Sequence, residues 1–258
     1  MQIALFSNQL ILTYKIKYME SICRLCGQPK KLVKAHIIPD FMYGELFDQK
    51  HRIKQVSFES NVFKGITPRE TGEFDKSILC EKCDNEILGS YEAYAKRAFY
   101  GGTMLTLSKE PERMFNKTWM QVGNIDYKKF KLFLLSILWR ASITKGPYFR
   151  QVNLDKHENI IRDMMLNGDP GKKEDYPTLI IHARSFSNQI ISQPKLVGKM
   201  EDKIFTFLIA GGIFIFFIET NNIPDYLYET TINEKNEMKI LLTDKTNAAN
   251  LISLNLFK

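Results

Sequence analysis

Apolar residues recur at helical spacing in two segments of the second half of the chain. The first segment, 126–144, begins at Asp126, a favourable N-cap residue, and is followed by Gly146-Pro147, which ends a helix. The second segment, 155–166, is followed by a turn rich in Asn, Gly, Asp and Pro. The pattern predicts two helices here.

Strand-like runs follow these helices, at 178–183, 188–192, 204–209, 213–219 and 238–242. The apolar stretch 204–218 is shorter than the roughly 20 residues that cross a bilayer, and Gly211-Gly212 divides it. Both of its halves are rich in β-branched and aromatic residues, which favours two buried antiparallel strands over a membrane segment. A last helix is predicted at 247–254.

The first hundred residues are organised around short motifs. An aromatic segment at 40–52 and an irregular insert at 53–77 precede a helix predicted at 84–99, before Gly101-Gly102. We therefore predict an α+β fold in three parts. These are an N-terminal extension of uncertain status at 1–18, a compact motif-bearing domain at 19–102, and an α+β module at 103–258 with two or more helices and an antiparallel sheet.

Composition restricts the functional class only weakly. The 258 residues are 44% hydrophobic and 25% charged, as in ordinary folded proteins. The net charge of +7 is divided between the two halves of the chain, and it is compatible with a polyanionic partner without requiring one. No signal-peptide pattern precedes the motifs, so a cytoplasmic protein without a membrane partner is expected.

All four cysteines fall in two C-x-x-C pairs, Cys23 with Cys26 and Cys80 with Cys83. Gly27 can supply the positive φ that a turn after the first pair needs, and the second pair opens a predicted helix. This set matches a closed tetrahedral zinc site, in which the long insert must fold as its own hairpin. One pair on a turn and one at a helix N-terminus is the treble-clef arrangement. Four thiolates leave no open position, so the zinc is expected to be structural.

Catalytic chemistry is expected from residues beside the cysteine pairs. His36 begins a strand-like His-Ile-Ile-Pro segment, and Asn85 lies on the first turn of the helix that the second pair opens. A strand histidine facing a helix N-terminus makes a site for an anionic ligand with a base beside it. Lys30, Lys31 and Lys34 precede His36, and this basic cluster fits either a solvated face or phosphate contact.

The ordered set of C-x-x-C, His-Ile-Ile-Pro and Leu-Cys-x-x-Cys-Asp-Asn resembles the HNH (His-Me finger, ββα-metal) endonucleases in their zinc-stapled form. The resemblance covers roughly residues 20–100. It implies that His36 is the general base that activates water against a phosphodiester. It also implies that Asn85 binds a catalytic Mg²⁺ or Mn²⁺ ion, and that the partner is nucleic acid, DNA rather than RNA.

The chain departs from the family pattern at the position before the base. Ala35 stands where the family usually has a metal-binding Asp or His, and Gly89 stands where some members have a further ligand. The carboxylates that could replace the missing ligand are, in order of preference, Asp75 and Glu86, then Asp40 and Asp84.

Three functions therefore remain open. The first is a metal-dependent endonuclease with a structural zinc and His36 as base. The second is a catalytically inactive zinc-binding module that recognises nucleic acid or another protein. The third is a structural or interaction protein that acts through residues 103–258, which contain no catalytic motif that we identify.

Overall fold

A computed structural model of the chain describes residues 21–59, 62–109, 111–114, 117–183, 190–197, 202–220 and 223–243. Within these ranges the fold is mixed α+β, as predicted. No helix in the described part is both long and apolar enough to pass through a membrane. The predictions for residues 1–18 and for a helix at 247–254 lie outside the described residues.

The helical elements are few and lie mostly in the middle of the chain. The α-helices of the described part are α1 (Gly89–Phe99), α2 (Tyr127–Ile143), α3 (His157–Asn167) and the single turn α4 (Asp225–Tyr228). A π-helical segment, Lys82–Leu88, leads directly into α1, and 3₁₀ turns occur at Asp40–Leu46 and Pro147–Phe149. The strands are β1 (Ala35–His36), β2 (Ile53–Glu59), β3 (Val62–Arg69), β4 (Phe74–Asp75), β5 (Thr106–Leu107), β6 (Glu112–Met114), β7 (Lys117–Gly123), β8 (Thr178–Ala183), β9 (Ile190–Ser192), β10 (Lys195–Val197), β11 (Lys203–Ile209), β12 (Gly212–Glu219) and β13 (Met238–Thr243).

Eleven of these strands form one large sheet, while β1 and β4 form a separate two-stranded sheet. The order in the large sheet is β3-β2-β9-β11-β12-β8-β13-β7-β5, with β10 beside β11 and β6 beside β7. The insert does fold as a hairpin, β2–β3, and β2 also pairs with β9. The large sheet thus contains strands from both sides of the predicted boundary at residue 102, and the boundary itself stays a prediction.

The large sheet is mostly antiparallel, which agrees with the sequence prediction in part. Two of its pairs, β2 with β9 and β13 with β8, are parallel. Parallel neighbours need long crossover connections, and here each joins segments that are distant in sequence. Because these strand pairs are distant in the sequence, no local sequence pattern predicts them.

The apolar run 204–218 forms the antiparallel hairpin β11–β12, as predicted. Ile209 pairs with Gly212 across a turn of Ala210 and Gly211, whose φ angles of 51° and 77° suit a tight hairpin turn. Side chains along both strands alternate between two buried apolar clusters. Because both faces of the hairpin are covered, its sequence shows no polar alternation.

Helix α2 is the central helix of the larger apolar cluster. Asp126 caps it, as predicted, by accepting a hydrogen bond from the Lys129 N–H at 2.9 Å. The helix is buried on nearly every side, and even the side chains of Lys131 and Arg140 are only 1% exposed. A charged group buried to this degree is costly unless it is hydrogen-bonded and paired, so the partners of Arg140 matter.

Candidate functional site

The four cysteines converge although the two pairs are far apart in the sequence. Their sulfur atoms all lie within 4.8 Å of one another. Cys23, Cys80 and Cys83 are buried, and Cys26 is partly exposed. A tetrahedral zinc with Zn–S bonds of about 2.3 Å holds its sulfurs roughly 3.8 Å apart, so small adjustments would close the shell. The group could therefore hold a metal ion such as zinc, as the sequence predicts.

Backbone contacts place the two cysteine pairs against each other. Gly27, with a φ of +69°, completes the turn of the first pair, and its N–H donates to the Cys23 carbonyl at 2.8 Å. The Cys80 N–H donates to Cys23 Sγ at 3.3 Å. The Val33 N–H donates to the Leu79 carbonyl at 2.9 Å. The chain just before β1 is therefore joined directly to the second cysteine pair.

Without a bound cation, the thiols of the cysteine cluster favour their neutral form. Burial raises the pKa of the Cys83 thiol well above its ordinary range, and hydrogen bonds with Cys26 and Cys80 raise it further. A bound cation favours the thiolates, so metal uptake should release protons and weaken as the pH falls. Four soft sulfur ligands suit zinc, and a closed shell leaves no position for substrate.

His36 lies on β1, which pairs with β4 in antiparallel register. Ala35 is opposite Asp75, and His36 is opposite Phe74. Neighbouring residues on a strand point to opposite faces, so the fully buried Ala35 faces the core and His36 faces the other way. A carboxylate at position 35 would thus point inward beside Asp75 and would not lie next to the imidazole.

The His36 imidazole is partly exposed, and Asp40 is an acidic neighbour. Its side chain is 25% exposed, and Nε2 lies 3.8 Å from Asp40 Oδ1, beyond hydrogen-bond distance. Nε2 itself is shielded and has no hydrogen-bond partner in the part of the chain that the structure describes. Burial lowers the pKa of His36; the Asp40 charge opposes this, and the Lys34 and Arg140 charges reinforce it. The imidazole is therefore mainly neutral at pH 7, the form that can accept a proton.

A buried arginine from α2 fixes the backbone of β1. Arg140 donates through Nη1 to the His36 carbonyl oxygen and pairs with Glu92 Oε1, both at 2.8 Å. Its Nε donates to the Ser136 carbonyl and its Nη2 to Ser136 Oγ, each at 3.3 Å. These charge-assisted contacts offset the burial of the guanidinium. Arg140 thereby ties β1, α1 and α2 together next to His36.

The predicted ligands of a catalytic cation lie in different surroundings. Asp75 accepts hydrogen bonds from Ser77 through Oδ1 and from Thr144 through Oδ2, the latter at 2.7 Å, so both carboxylate oxygens are engaged. Asn85 and Glu86 are exposed on the π-helical segment. Across the described ranges, only the cysteine cluster brings ligand atoms of three or more His, Cys, Asp or Glu residues together. The assignment of Asn85, Asp75 and Glu86 to a cation stays a prediction.

Other charged residues near His36 are missed or ranked low by the sequence prediction. Asp40 is the carboxylate nearest to the imidazole, although Asp75 and Glu86 were preferred to it. Burial raises the pKa of Asp84 to about 6, the Arg140 charge opposes this, and the Glu92 charge adds to it. The residues that sequence reasoning misses entirely are Glu92 and Arg140. The available signal was a lone arginine inside the apolar stretch of α2, which must find a partner when buried.

No protein family, curated protein or solved structure matches this chain. The resemblance to HNH endonucleases therefore rests on the sequence motifs of residues 20–100 alone.

Proposed function

We propose that this chain is a zinc-stapled endonuclease of the HNH type that hydrolyses phosphodiester bonds in DNA. The observation that carries the proposal is the position of His36, on the outward side of a strand that Arg140 anchors and that the chain joins to the cysteine cluster. In this proposal the turn at Cys23 and Cys26 and the helical segment that follows Cys80 form a treble clef. The motifs around His36 also occur in the order that the family shows.

In the proposed reaction, His36 accepts a proton from the water whose oxygen attacks phosphorus. The bond from phosphorus to the leaving 3′ oxygen then breaks, and that oxygen takes a proton from solvent. Its lowered pKa keeps the imidazole ready for this role near pH 7. Because Nε2 is shielded, the imidazole must turn before this nitrogen can meet the attacking water. The Asp40 carboxylate, close to the ring, would then stabilise the imidazolium that forms.

The proposal includes a structural zinc and a catalytic divalent cation, and the described residues support the first more than the second. The zinc is structural, and the four cysteines would hold it. A catalytic Mg²⁺ or Mn²⁺ has no comparable set of protein ligands in the described residues, so it would depend on Asn85, on substrate oxygens and on water. Such an ion would supply positive charge at the phosphate.

The first experiment compares His36→Asn with His51→Asn in a plasmid-nicking assay. Zinc-loaded protein is incubated with supercoiled plasmid and Mg²⁺ or Mn²⁺. We expect His36→Asn to slow cleavage by about 100-fold or more, the usual contribution of a general base. His51 is exposed and stacks on Phe47, and its φ of 54° suits asparagine, so His51→Asn should cleave normally. Equal cleavage by wild type and His36→Asn would overturn the proposal.

A catalytically inactive zinc module that binds nucleic acid or protein is the second candidate. It is favoured by Ala35 and by the lack of a second ligand cluster in the described residues. It predicts salt-sensitive DNA binding that His36→Asn leaves unchanged and Cys80→Ser abolishes. Cleavage that depends on His36 would exclude it.

A further inference from the structure

The small sheet formed by β1 and β4 has one face directed away from the core. The register that pairs Ala35 with Asp75 and His36 with Phe74 turns the first pair inward and the second pair outward. Lys34 and Lys76 flank the two short strands, and the ammonium groups of both lie over the Phe74 ring, which places them on the same face. Both lysines are exposed. We call these four residues, Lys34, His36, Phe74 and Lys76, the outer face.

Phe74 is the unusual member of the outer face. Its side chain is 38% exposed although it is large and apolar. Single exposed apolar residues are common on protein surfaces, so exposure alone carries little weight. The position of the Phe74 ring is stronger evidence for a function, because the His36 imidazole packs edge-on against it with ring centroids 6.4 Å apart. An open aromatic surface therefore adjoins the proposed base.

Two cations accompany this ring. Lys34 Nζ lies 4.1 Å from the ring centroid of Phe74, and Lys76 Nζ lies 5.9 Å from it. The lysine side chains are long and exposed, so their ammonium groups can leave the ring for a nearby anion at little cost. Proteins that bind single-stranded nucleic acids combine aromatic rings with exposed lysines, since bases stack on rings and phosphates pair with cations.

We propose that the outer face binds an unpaired segment of a nucleic-acid strand, with one base stacked on Phe74 and phosphates contacting Lys34 and Lys76. This inference rests on the proposed function and adds a substrate class to it. The preferred substrate is single-stranded or locally unpaired nucleic acid, because a base inside a duplex cannot reach the Phe74 ring. Binding there brings the backbone of the strand to His36.

The experiment measures binding without added Mg²⁺ or Mn²⁺, so that cleavage plays no part. The probe is a single-stranded DNA oligonucleotide with a central 2-aminopurine, whose fluorescence falls when the base stacks; the same sequence as a duplex is the second probe. The full-length zinc-loaded chain is compared with Phe74→Leu, which removes the aromatic ring but keeps an apolar side chain, and with Phe74→Tyr, which keeps the ring.

We expect Phe74→Leu to weaken single-strand binding by about 5-fold or more and to abolish the quenching, while Phe74→Tyr retains both. Tyr228→Leu is the matched control, because Lys173 Nζ also lies 4.1 Å from the Tyr228 ring centroid, and no histidine ring of the described residues packs against it. It should bind as the wild type does. The double variant Lys34→Gln/Lys76→Gln should reduce the dependence of log K on log salt by about 1.4, or 0.7 for each phosphate contact.

Three outcomes would overturn the inference. One is unchanged single-strand binding and quenching in Phe74→Leu. Another is an equal loss of duplex binding in that variant, which would remove the preference for unpaired strands. The third is a wild-type chain that binds neither probe, which would also remove the nucleic-acid part of the proposed function. The expected Phe74 results together with cleavage that is lost in His36→Asn would support both proposals. The same Phe74 results with no cleavage by the wild type would support this inference alone.

Discussion

Two sets of contacts hold the segment that carries His36: one comes from the cysteine cluster, and the other comes from Arg140. Before β1, the chain is joined to the cysteine cluster through the Val33–Leu79 hydrogen bond and the Cys80–Cys23 contact. Within β1 itself, the His36 carbonyl is held by Arg140 from α2. The first set of contacts is built from short local motifs and can be strengthened by a metal ion bound to the cysteines. The second uses one buried side chain from a distant part of the chain.

The two sets of contacts should respond differently to mutation. A structural zinc contributes its binding free energy directly to folding, so removing one ligand removes most of that contribution. A buried ion pair contributes little net stability when intact, but removal of one partner leaves the other buried and unpaired. The cysteine cluster should therefore determine whether the region folds, and Arg140 should determine how β1 is placed once it has folded.

The largest effect is expected from Cys80→Ser. Isolated zinc-binding peptides gain about 10–16 kcal/mol from their metal, which is as large as the whole stability of a typical domain. The variant should lose stoichiometric zinc and its cooperative thermal transition, as followed by metal analysis and circular dichroism. Chelation of the wild type should reproduce this state, and added zinc should restore only the wild type. A variant that melts normally without metal would show that the cluster is not structural.

A smaller loss of about 1–3 kcal/mol is expected from Arg140→Met, the usual cost of leaving hydrogen-bonding groups without their partner. Glu92 and the His36 carbonyl both lose their donor, although the methionine retains much of the buried volume. Chemical denaturation measures the free energy of unfolding, and metal analysis should find zinc retained.

Two further variants test the cause of that loss. Arg150 is exposed, so Arg150→Met should change stability by less than about 0.5 kcal/mol. Combining Arg140→Met with Glu92→Gln should recover part of the loss, because the unpaired carboxylate is then neutral. Additive losses in the double variant would argue against a functional ion pair between Arg140 and Glu92.

The smallest effect concerns pH. Burial lowers the pKa of His36 below its ordinary value of 6.5, so the unfolded chain takes up this proton more readily than the folded chain. Stability should therefore be greatest above pH 6.5 and fall as the pH drops through the unfolded value towards the folded one. His36→Gln should flatten that decline. Burial shifts the pKa of His157 in the same direction, so His157→Gln should flatten it separately.

NMR titration gives the direct measurement. The His36 imidazole should titrate below 6.5, and Lys34→Gln should raise its pKa slightly because one nearby positive charge is removed. A His36 pKa above 6.5 would contradict the burial of the ring and weaken its assignment as a base.

Local patterns predict most of the elements that depend on neighbours in sequence. Helix α2, strand β8 and the hairpin β11–β12 follow from periodicity, an N-cap and turn glycines. The convergence of the cysteines follows from the spacing of the two pairs. The sequence does not predict that the helix after Cys80 starts as a π-helix, since apolar periodicity scarcely distinguishes a π-helix from an α-helix.

Contacts between distant segments account for what the sequence does not predict. The Arg140–His36 bond joins residues separated by 104 positions, and no motif marks either end as the partner of the other. The outward position of Phe74 also depends on the pairing of β4 with β1, across the whole insert. Tertiary packing sets these positions. A single sequence indicates that a buried charge needs a partner, but it does not identify that partner.

The pairing of β2 with β9 has a consequence for synthesis of the chain. Lys54, Gln55 and Val56 lie beside Ile190, Ile191 and Ser192. On the ribosome, both cysteine pairs emerge before the partner strand is made, so metal can be captured while one edge of the β2–β3 hairpin is still unpaired. A fragment that stops near residue 102 keeps that unpaired edge permanently, and open strand edges promote aggregation. Biochemical work on the zinc region is therefore best done with the whole chain.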